Sequence, residues 1–381
     1  MIPYSRHDIN QDDVKAVIEV LQSEFLTQGP KVKEFEEAFA EYVGARYGVA
    51  VSNGTVALHL CALALDVRSG DRILTTPNTF VASANCILYC GGDVDFVDIN
   101  PEDLCLDPGL LEKHLEENPG RYRGIIPVDF AGHPIQMDRL KEIADRHHLW
   151  IIEDGCHAPG ATLTDRNGVS QKTGNGNFAD LTVFSFHPAK HITTGEGGLI
   201  TTNSERLYQK LLLLRSHGIT KDPQAIDHYE GGWFYEMQNL GHNGRISDIL
   251  CALGLSQLKR AEQSLLNRQR IAKRYDLELK NLPLILPTIK SGSVHAFHLY
   301  VVQTKRRKEL YEYLKSKEIY SQVHYIPIHK QPYYAAKYGR QTFKNSEKYY
   351  DECLSLPLFH SMSDEDQTYV ITAMQEFFKE K

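Results

Sequence analysis

The 381-residue sequence has little tryptophan and methionine, two and five residues, and its seven cysteines are an odd number. No two cysteines stand at Cys-x-x-Cys spacing, and Cys86 and Cys90, four apart in a stretch of helical periodicity, show a packing interval and not a zinc or disulfide pattern. Reduced thiols and a cytoplasmic location are therefore expected. No window approaches about 18 apolar residues, and the N-terminus lacks a charged stretch followed by an apolar one, so neither a membrane span nor a secretion signal is expected. Charge of one sign is scarce as well: 49 acidic against 42 basic residues leave a net charge of -7. With no long basic run, nucleic acid and anionic membranes are not expected partners. The one basic cluster, Lys305-Arg306-Arg307-Lys308, opens an apparent helix and reads as a solvated face. No Gly-x-Gly-x-x-Gly follows a strand, so a dinucleotide site has no fingerprint. His147-His148 lacks partner ligands at metal spacing, and no metal is expected. Repeats and low-complexity segments are missing too, and 42% hydrophobic with 24% charged residues is ordinary for a soluble globular chain long enough for two lobes.

What is present is alternation. An opening helix over Gln11–Ser23 has Asn10 as N-cap and Val14, Val17, Ile18 and Leu21 on one face, and a second over Val32–Val43 stops at Gly44. The strand Tyr47–Val51 then turns through Ser52-Asn53-Gly54-Thr55 into an apolar helix. Strand Arg72–Thr76 leads through Pro77-Asn78-Thr79-Phe80 into a helix ending near Cys90. Strands Val94–Val97, Gly124–Phe130 and Trp150–Glu153 alternate with helices Pro108–Leu115 and Met137–His147. A hairpin over Thr164–Val169, strands Leu181–Phe186 and Leu199–Thr202, and helix Glu205–Leu214 follow. Short apolar strands alternating with helices predict a mainly parallel sheet covered on both faces. A long irregular segment runs from Arg215 to Met237, a length usually tied to function. One helical stretch over Ser247–Leu279 links to a smaller α+β lobe with strand Leu299–Gln303, helix Lys308–Lys317, strand Tyr320–His324 and helix Asp364–Phe378.

The chemistry gathers at strand ends. Lys190 lies just past the strand Leu181–Phe186, between Pro188 and Gly195, Gly197 and Gly198, where an amine can be held desolvated and aimed at a carbonyl, as Schiff-base chemistry requires. Asp154 ends another apolar strand, at the edge where open α/β sheets put ligands. A strand-end lysine with a strand-end carboxylate is the pair that pyridoxal 5'-phosphate (PLP) needs: the lysine for its aldehyde, the acid to keep its ring nitrogen protonated. Gly54 and Thr55, at a helix N-terminus, make a phosphate site; an ordinary Asn-Gly turn is the alternative. Phe80 can lie over the pyridine ring, or simply pack in the core.

Glu153-Asp154-Gly155-Cys156-His157-Ala158-Pro159-Gly160-Ala161, paired with the stretch from Phe184 to Gly198, resembles the DegT/DnrJ/EryC1/StrS family of sugar aminotransferases. The resemblance continues in Ser52-Asn53-Gly54-Thr55, Pro77-Asn78-Thr79-Phe80 and Gly241-His242-Asn243-Gly244-Arg245-Ile246-Ser247-Asp248, and runs from about Tyr4 to Leu356-Pro357. It implies the PLP-dependent aspartate aminotransferase fold (fold type I), α/β, with a large PLP-binding domain over 1–250 and a linking helix with a small C-terminal α+β domain over 251–381. It implies that Lys190 is catalytic, that Asp154 meets the pyridine nitrogen, that His157 bonds the 3'-oxygen and that Ser185 is a second phosphate ligand. Asn243 would reach the phosphate held by a neighbouring subunit, which makes a homodimer with shared sites the expected assembly. Tyr4, Leu26, Thr27, Gln28 and Gly29 would contact the sugar nucleotide, His187 would flank the cofactor on the substrate side, and Tyr325, Pro327 and Ile328 would form a substrate-side loop. Where the family commonly has tyrosines around the asparagine, this chain has His242 and Gly244.

The implied reaction is a ping-pong transamination from L-glutamate to a nucleotide-linked keto sugar. Members that dehydrate sugars carry histidine in place of the lysine, so Lys190 argues against that branch. The segments LTQG, VDFAGHP, SHGITKD, GHNGRISD and QVHYIPIH resemble the branch that aminates C4 of UDP-2-acetamido-2,6-dideoxy-β-L-arabino-hex-4-ulose in pseudaminic acid biosynthesis. A sibling acting on another UDP-, dTDP- or GDP-keto sugar would keep every PLP motif. From other classes, a PLP-binding regulator would bind cofactor without turnover, and an oxidoreductase would need the missing dinucleotide fingerprint.

Overall fold

The computed structural model describes residues 1–379. Seven strands form the central sheet: β1 (Tyr47–Val51), β2 (Arg72–Thr75), β3 (Asp93–Phe96), β4 (Gly124–Ile126), β5 (Trp150–Asp154), β8 (Leu181–Ser185) and β9 (Gly198–Thr202). Between β5 and β8 the chain makes the hairpin β6 (Thr162–Thr164) and β7 (Ser170–Lys172). The sheet order is β1-β9-β8-β5-β4-β2-β3, with β9 antiparallel to both neighbours and every other adjacent pair parallel. This is the mainly parallel α/β sheet expected of fold type I.

Side chains alternate along a strand, so a sheet is apolar on both faces only when both are covered. Ile73, Ile126 and Ile152 point into one cluster with α3 (Gly54–Ala64), α4 (Ala82–Tyr89) and α7 (Glu205–Arg215). Their neighbours Leu74, Ile125 and Ile151 point the other way, against α5 (Pro108–Glu117) and α6 (Met137–Arg146). Truncating one of these isoleucines to alanine would cost about 2–5 kcal/mol.

α1 (Gln11–Leu21) opens on a reciprocal capping box, Asn10 accepting from the Asp13 N–H at 3.0 Å and Asp13 from the Asn10 N–H at 3.0 Å. Its expected core face is not in the core: Val14, Ile18 and Leu21 are 41, 45 and 55% exposed, while Asp13 and Val20 are buried. Asp13 is turned inward by Arg260, whose Nη2 lies 2.5 Å from Asp13 Oδ2. α2 (Pro30–Val43) ends at Gly44, which takes the left-handed φ of 86° that a C-cap favours.

The irregular segment after α7 holds the short hairpin β10 (Ile219–Thr220) and β11 (Glu236–Met237). Where the sequence predicts one helical run over 247–279 there are two, α8 (Asp248–Leu258) and α9 (Ala261–Leu279), with Arg260 between them committed to Asp8 and Asp13. β12 (Ser293–Val294) joins the edge of the β6–β7 hairpin. A further core is built on the antiparallel pair β13 (Tyr300–Gln303) and β14 (Cys353–Leu356), packed by α9, α10 (Arg307–Ser316) and α13 (Asp364–Lys379). α11 (Pro332–Tyr338) and α12 (Lys344–Glu352) lie between α10 and β14. The strand predicted over 320–324 is not formed: β14, 30 residues on, takes the place beside β13, leaving Gln322 a single bridge to Ser355.

Candidate active site

β1, β5 and β8 run in one direction, and their carboxyl ends open on a cleft of about 620 Å³. Into it the structure brings Gly54, Thr55, Phe80, Asp154, His157, Ser185 and Lys190, with Tyr4, His187 and Tyr325. Lys190 sits in a turn closed by its N–H to the His187 carbonyl at 2.8 Å. No hydrogen bond holds its Nζ among the described residues, and burial lowers its pKa below an ordinary lysine's, against the opposing pull of Cys156 and Asp154.

Asp154 is 5% exposed and tightly held. Ser83 Oγ donates to its Oδ2 at 2.6 Å, and the Cys156 N–H donates to Oδ1 at 3.2 Å. Thr79 Oγ1 lies 2.9 Å from Ser83 Oγ, and because the single Ser83 proton goes to the carboxylate, Thr79 is the donor there. Behind this acid, Glu153 has its pKa pushed up to about 7 by burial, with the Asp154 charge adding to the rise and hydrogen bonds from Thr182 and Gly174 opposing it.

At the other end of the cleft, Asn53 caps α3 by accepting the Val56 N–H at 2.9 Å. The first N–H groups of a helix have no intrahelical partner, so those of Gly54 and Thr55 remain for an anion. A Cβ on Gly54 would stand 3.1 Å from Ser185 Cβ and 3.5 Å from Cys156 Sγ, filling that cradle. PLP fits these residues: a donor-rich phosphate cradle, an amine of lowered pKa and a fixed carboxylate share one cleft.

The remaining wall is aromatic. Phe80 is 54% exposed, facing the cleft instead of packing in the core, with its ring 6.0 Å from that of Tyr325. His157 Nε2 lies 3.2 Å from Tyr325 Oη, and its ring is 4.3 Å from that of His298. Burial holds His157 and His298 well below the usual imidazole range, with the Lys190 charge adding to the effect, and the same causes push His324 down to about 4.

Other candidates lie outside the cleft. Leu26 is 47% exposed, Thr27 pairs with Ser247, and the Gly29 N–H donates to Asp248 Oδ2 at 2.8 Å. Gln28, beside them, is exposed, as is Asn243, which bridges to Ser216. Pro327 is buried, and Ile328, fully buried, packs against Phe96 and Tyr334 while its N–H donates to the Pro77 carbonyl at 2.9 Å; these two anchor the loop and Tyr325 alone of the three faces the cleft. Sequence reasoning missed Ser83, Glu196, His298 and His324. Ser83 stands in the first turn of α4, four residues after Thr79, a spacing that could have flagged it; His324 stands beside Tyr325 in QVHYIPIH, which could have flagged it too, whereas His298 carries no local signal.

Comparison with known proteins agrees with this geometry. The DegT/DnrJ/EryC1/StrS aminotransferase family matches residues 7–375. The UDP-4-amino-4,6-dideoxy-N-acetyl-beta-L-altrosamine transaminase of Campylobacter jejuni is 37% identical over 376 residues, 97% of this chain and 96% of the relative. Spore coat polysaccharide biosynthesis protein SpsC of Bacillus subtilis is 37% identical over 388 residues, 99% of this chain and 97% of the relative. Among solved structures, Helicobacter pylori PseC, an aminotransferase involved in the biosynthesis of pseudoaminic acid, aligns with a TM-score of 0.90 at 32% identity, covering 100% of both chains.

Proposed function

The chain belongs to the DegT/DnrJ/EryC1/StrS aminotransferase family and is a PLP-dependent sugar aminotransferase, and we propose that it moves an amino group from L-glutamate to C4 of UDP-2-acetamido-2,6-dideoxy-β-L-arabino-hex-4-ulose. The product is UDP-4-amino-4,6-dideoxy-N-acetyl-β-L-altrosamine. The observation that carries the chemistry is the convergence of Lys190 and Asp154 in one cleft. The name of the Campylobacter relative supports the substrate.

PLP, when bound, supplies an aldehyde to accept the amino group and a ring to take up the electron pair left on the substrate carbon. The Gly54 and Thr55 N–H groups with the Ser185 hydroxyl would hold its phosphate, and Phe80 would pack against its ring. Asp154, fixed by Ser83 and the Cys156 N–H, would face the ring nitrogen as its hydrogen-bond partner. Lys190 Nζ, its pKa lowered by burial, takes the proton from the α-carbon of the amino donor and delivers one to C4 of the sugar in the second half-reaction. Tyr4, His187 and Tyr325 line the substrate side.

The sites are shared in a homodimer, with Leu26, Thr27, Gln28, Gly29 and Asn243 serving the other subunit's cleft. In support, these residues stand outside their own cleft, and Leu26 to Gly29 follow directly in sequence on the exposed apolar face of Val14, Ile18 and Leu21. A second reading keeps the chemistry and changes the sugar: the spore-coat relative is as similar as the altrosamine transaminase, at 37%. The purified protein with PLP, L-glutamate and a panel of UDP-, dTDP- and GDP-4-keto-6-deoxy sugars, followed by NMR, separates the two. Amination of the UDP-L-arabino-hexosulose alone is expected; selective amination of another sugar would move the pathway, and no amination of any would remove the assignment of these residues.

A further inference from the structure

The last turn before the substrate-side wall contains a contact that the transamination scheme does not use. After β4 the chain makes a tight turn at Asp129-Phe130-Ala131-Gly132, with Ala131 at φ 58° and Gly132 at φ 97°. The buried Asp129 holds it: Oδ1 accepts the Ile135 N–H at 3.0 Å and Oδ2 accepts the Thr173 hydroxyl at 3.1 Å. From the other side the Ala296 N–H donates to the Gly132 carbonyl at 2.8 Å and the Leu299 N–H to the Ala131 carbonyl at 3.2 Å. That bracketing segment also carries His298, whose ring lies 4.3 Å from the ring of His157. So held, the Ala131 N–H points at Nδ1 of His157, 3.3 Å away.

A backbone N–H can only donate, so Nδ1 must accept, and a neutral imidazole that accepts at Nδ1 carries its proton on Nε2. We infer that Ala131, through its backbone N–H, is a positioning residue that holds His157 as the Nε2–H tautomer, so that His157 presents a donor to the cleft. In this structure Nε2 faces Tyr325 Oη at 3.2 Å. The inference deepens the reading of the cleft as a PLP site, in which the family resemblance puts His157 beside the 3'-oxygen, and rests on that reading for its purpose, though not for its test. A ring free to carry its proton on Nδ1 would turn a lone pair toward that oxygen and repel it. Gly132 is the hinge of the device: a Cβ there would stand 2.8 Å from the His157 carbonyl oxygen and 2.9 Å from the Phe297 nitrogen, besides opposing the positive φ.

The first measurement is NMR of the cofactor-free protein with labelled histidine, the His157 ring signals being identified by their loss in His157→Gln. The Nε2–H tautomer at neutral pH is expected; an Nδ1–H or doubly protonated ring would overturn the inference, whatever sugar the enzyme takes. The second is a cycle of PLP affinities, read from the absorbance of bound cofactor, for Gly132→Ala with and without His157→Gln. Glutamine carries its own amide donor and needs no tautomer, so Gly132→Ala should weaken PLP several-fold beside His157 and clearly less in the His157→Gln background. Equal losses in both backgrounds would mean that the turn matters only for folding. If Gly132→Ala does not fold, the NMR result alone decides.

Discussion

At the carboxyl ends of β1, β5 and β8, Gly54, Asp154, Ser185 and Lys190 share a cleft whose acid already has two donors, whereas none of Leu26 to Gly29 or Asn243 lines that cleft. One group is placed by the sheet of its own chain, and strand pairing leaves it little freedom. The other sits on loops that their own chain holds by a few backbone contacts, such as Thr27 to Ser247 and Asn243 to Ser216. On the proposed shared-site assembly, one chain supplies most of the cofactor cradle, and Asn243 and the 26–29 loop would complete the site of the other.

The largest effect should come from the sheet-built half. Lys190→Ala is expected to remove turnover in both half-reactions while leaving the thermal transition near that of the parent; release of 2-oxoglutarate from glutamate by this variant would sink the assignment. Asp154→Asn should bind PLP yet slow both half-reactions by about a hundredfold or more, the size of a lost charged contact of about 3 kcal/mol. Single-turnover absorbance changes measure it, and near-parent rates would show that another group meets the ring nitrogen.

The loop-built half is tested by mixing. Asn243→Ala alone should weaken PLP binding without disturbing the fold. Refolded together with Lys190→Ala, it should regain activity above the sum of the separate variants, because each mixed pair then contains one intact site. Activity no higher than that sum would place both halves of the site in one chain. A smaller effect is expected from Ser83→Ala, which removes one hydrogen bond to Asp154: about a 5–10-fold loss in kcat, with little change in KM for the sugar.

The smallest effect is one of stability. Because Glu153 titrates near 7 in the folded chain against the usual 4.5, the folded state holds more protons than the unfolded one in between. Its contribution to stability is therefore present below about pH 4.5 and lost as pH rises through about 7. Glu153→Gln should flatten this dependence, gaining on the order of 1–3 kcal/mol relative to the parent above neutrality. Denaturant midpoints at several pH values read it, and parallel curves for the two proteins would mean that Glu153 is ionised in the fold.

Much of the sheet-built half is legible in sequence. Tyr47–Val51 reads as a strand because its apolar residues end at a turn signal, and it is one; Asp154 and Lys190 stand out because a polar residue at the end of an apolar strand has few other uses. The misses have a common cause. Tyr320–His324 has strand-forming residues, yet β14 occupies the position beside β13, and a local pattern says nothing about competition for a partner. The apolar stripe of α1 has the right period for a helix, but periodicity identifies a sticky face and not whether its own core covers it. Ile328, placed in the substrate-side loop by the family resemblance alone, packs in the core with Phe96 and Tyr334.

The amino-acid sequence by itself determined the element types, the α/β alternation, the strand-end chemistry of Lys190 and Asp154 and the family, because each of these is written in short-range spacing or in motifs a few residues long. Only the tertiary structure decided that Ser83 would reach across to Asp154, that His298 and His324 would wall the cleft, and that a backbone N–H at Ala131 would face His157. The two hydrogen bonds among them join residues 26 and 71 positions apart, and over such distances along the chain it is sheet order and lobe packing, not local pattern, that set which groups meet.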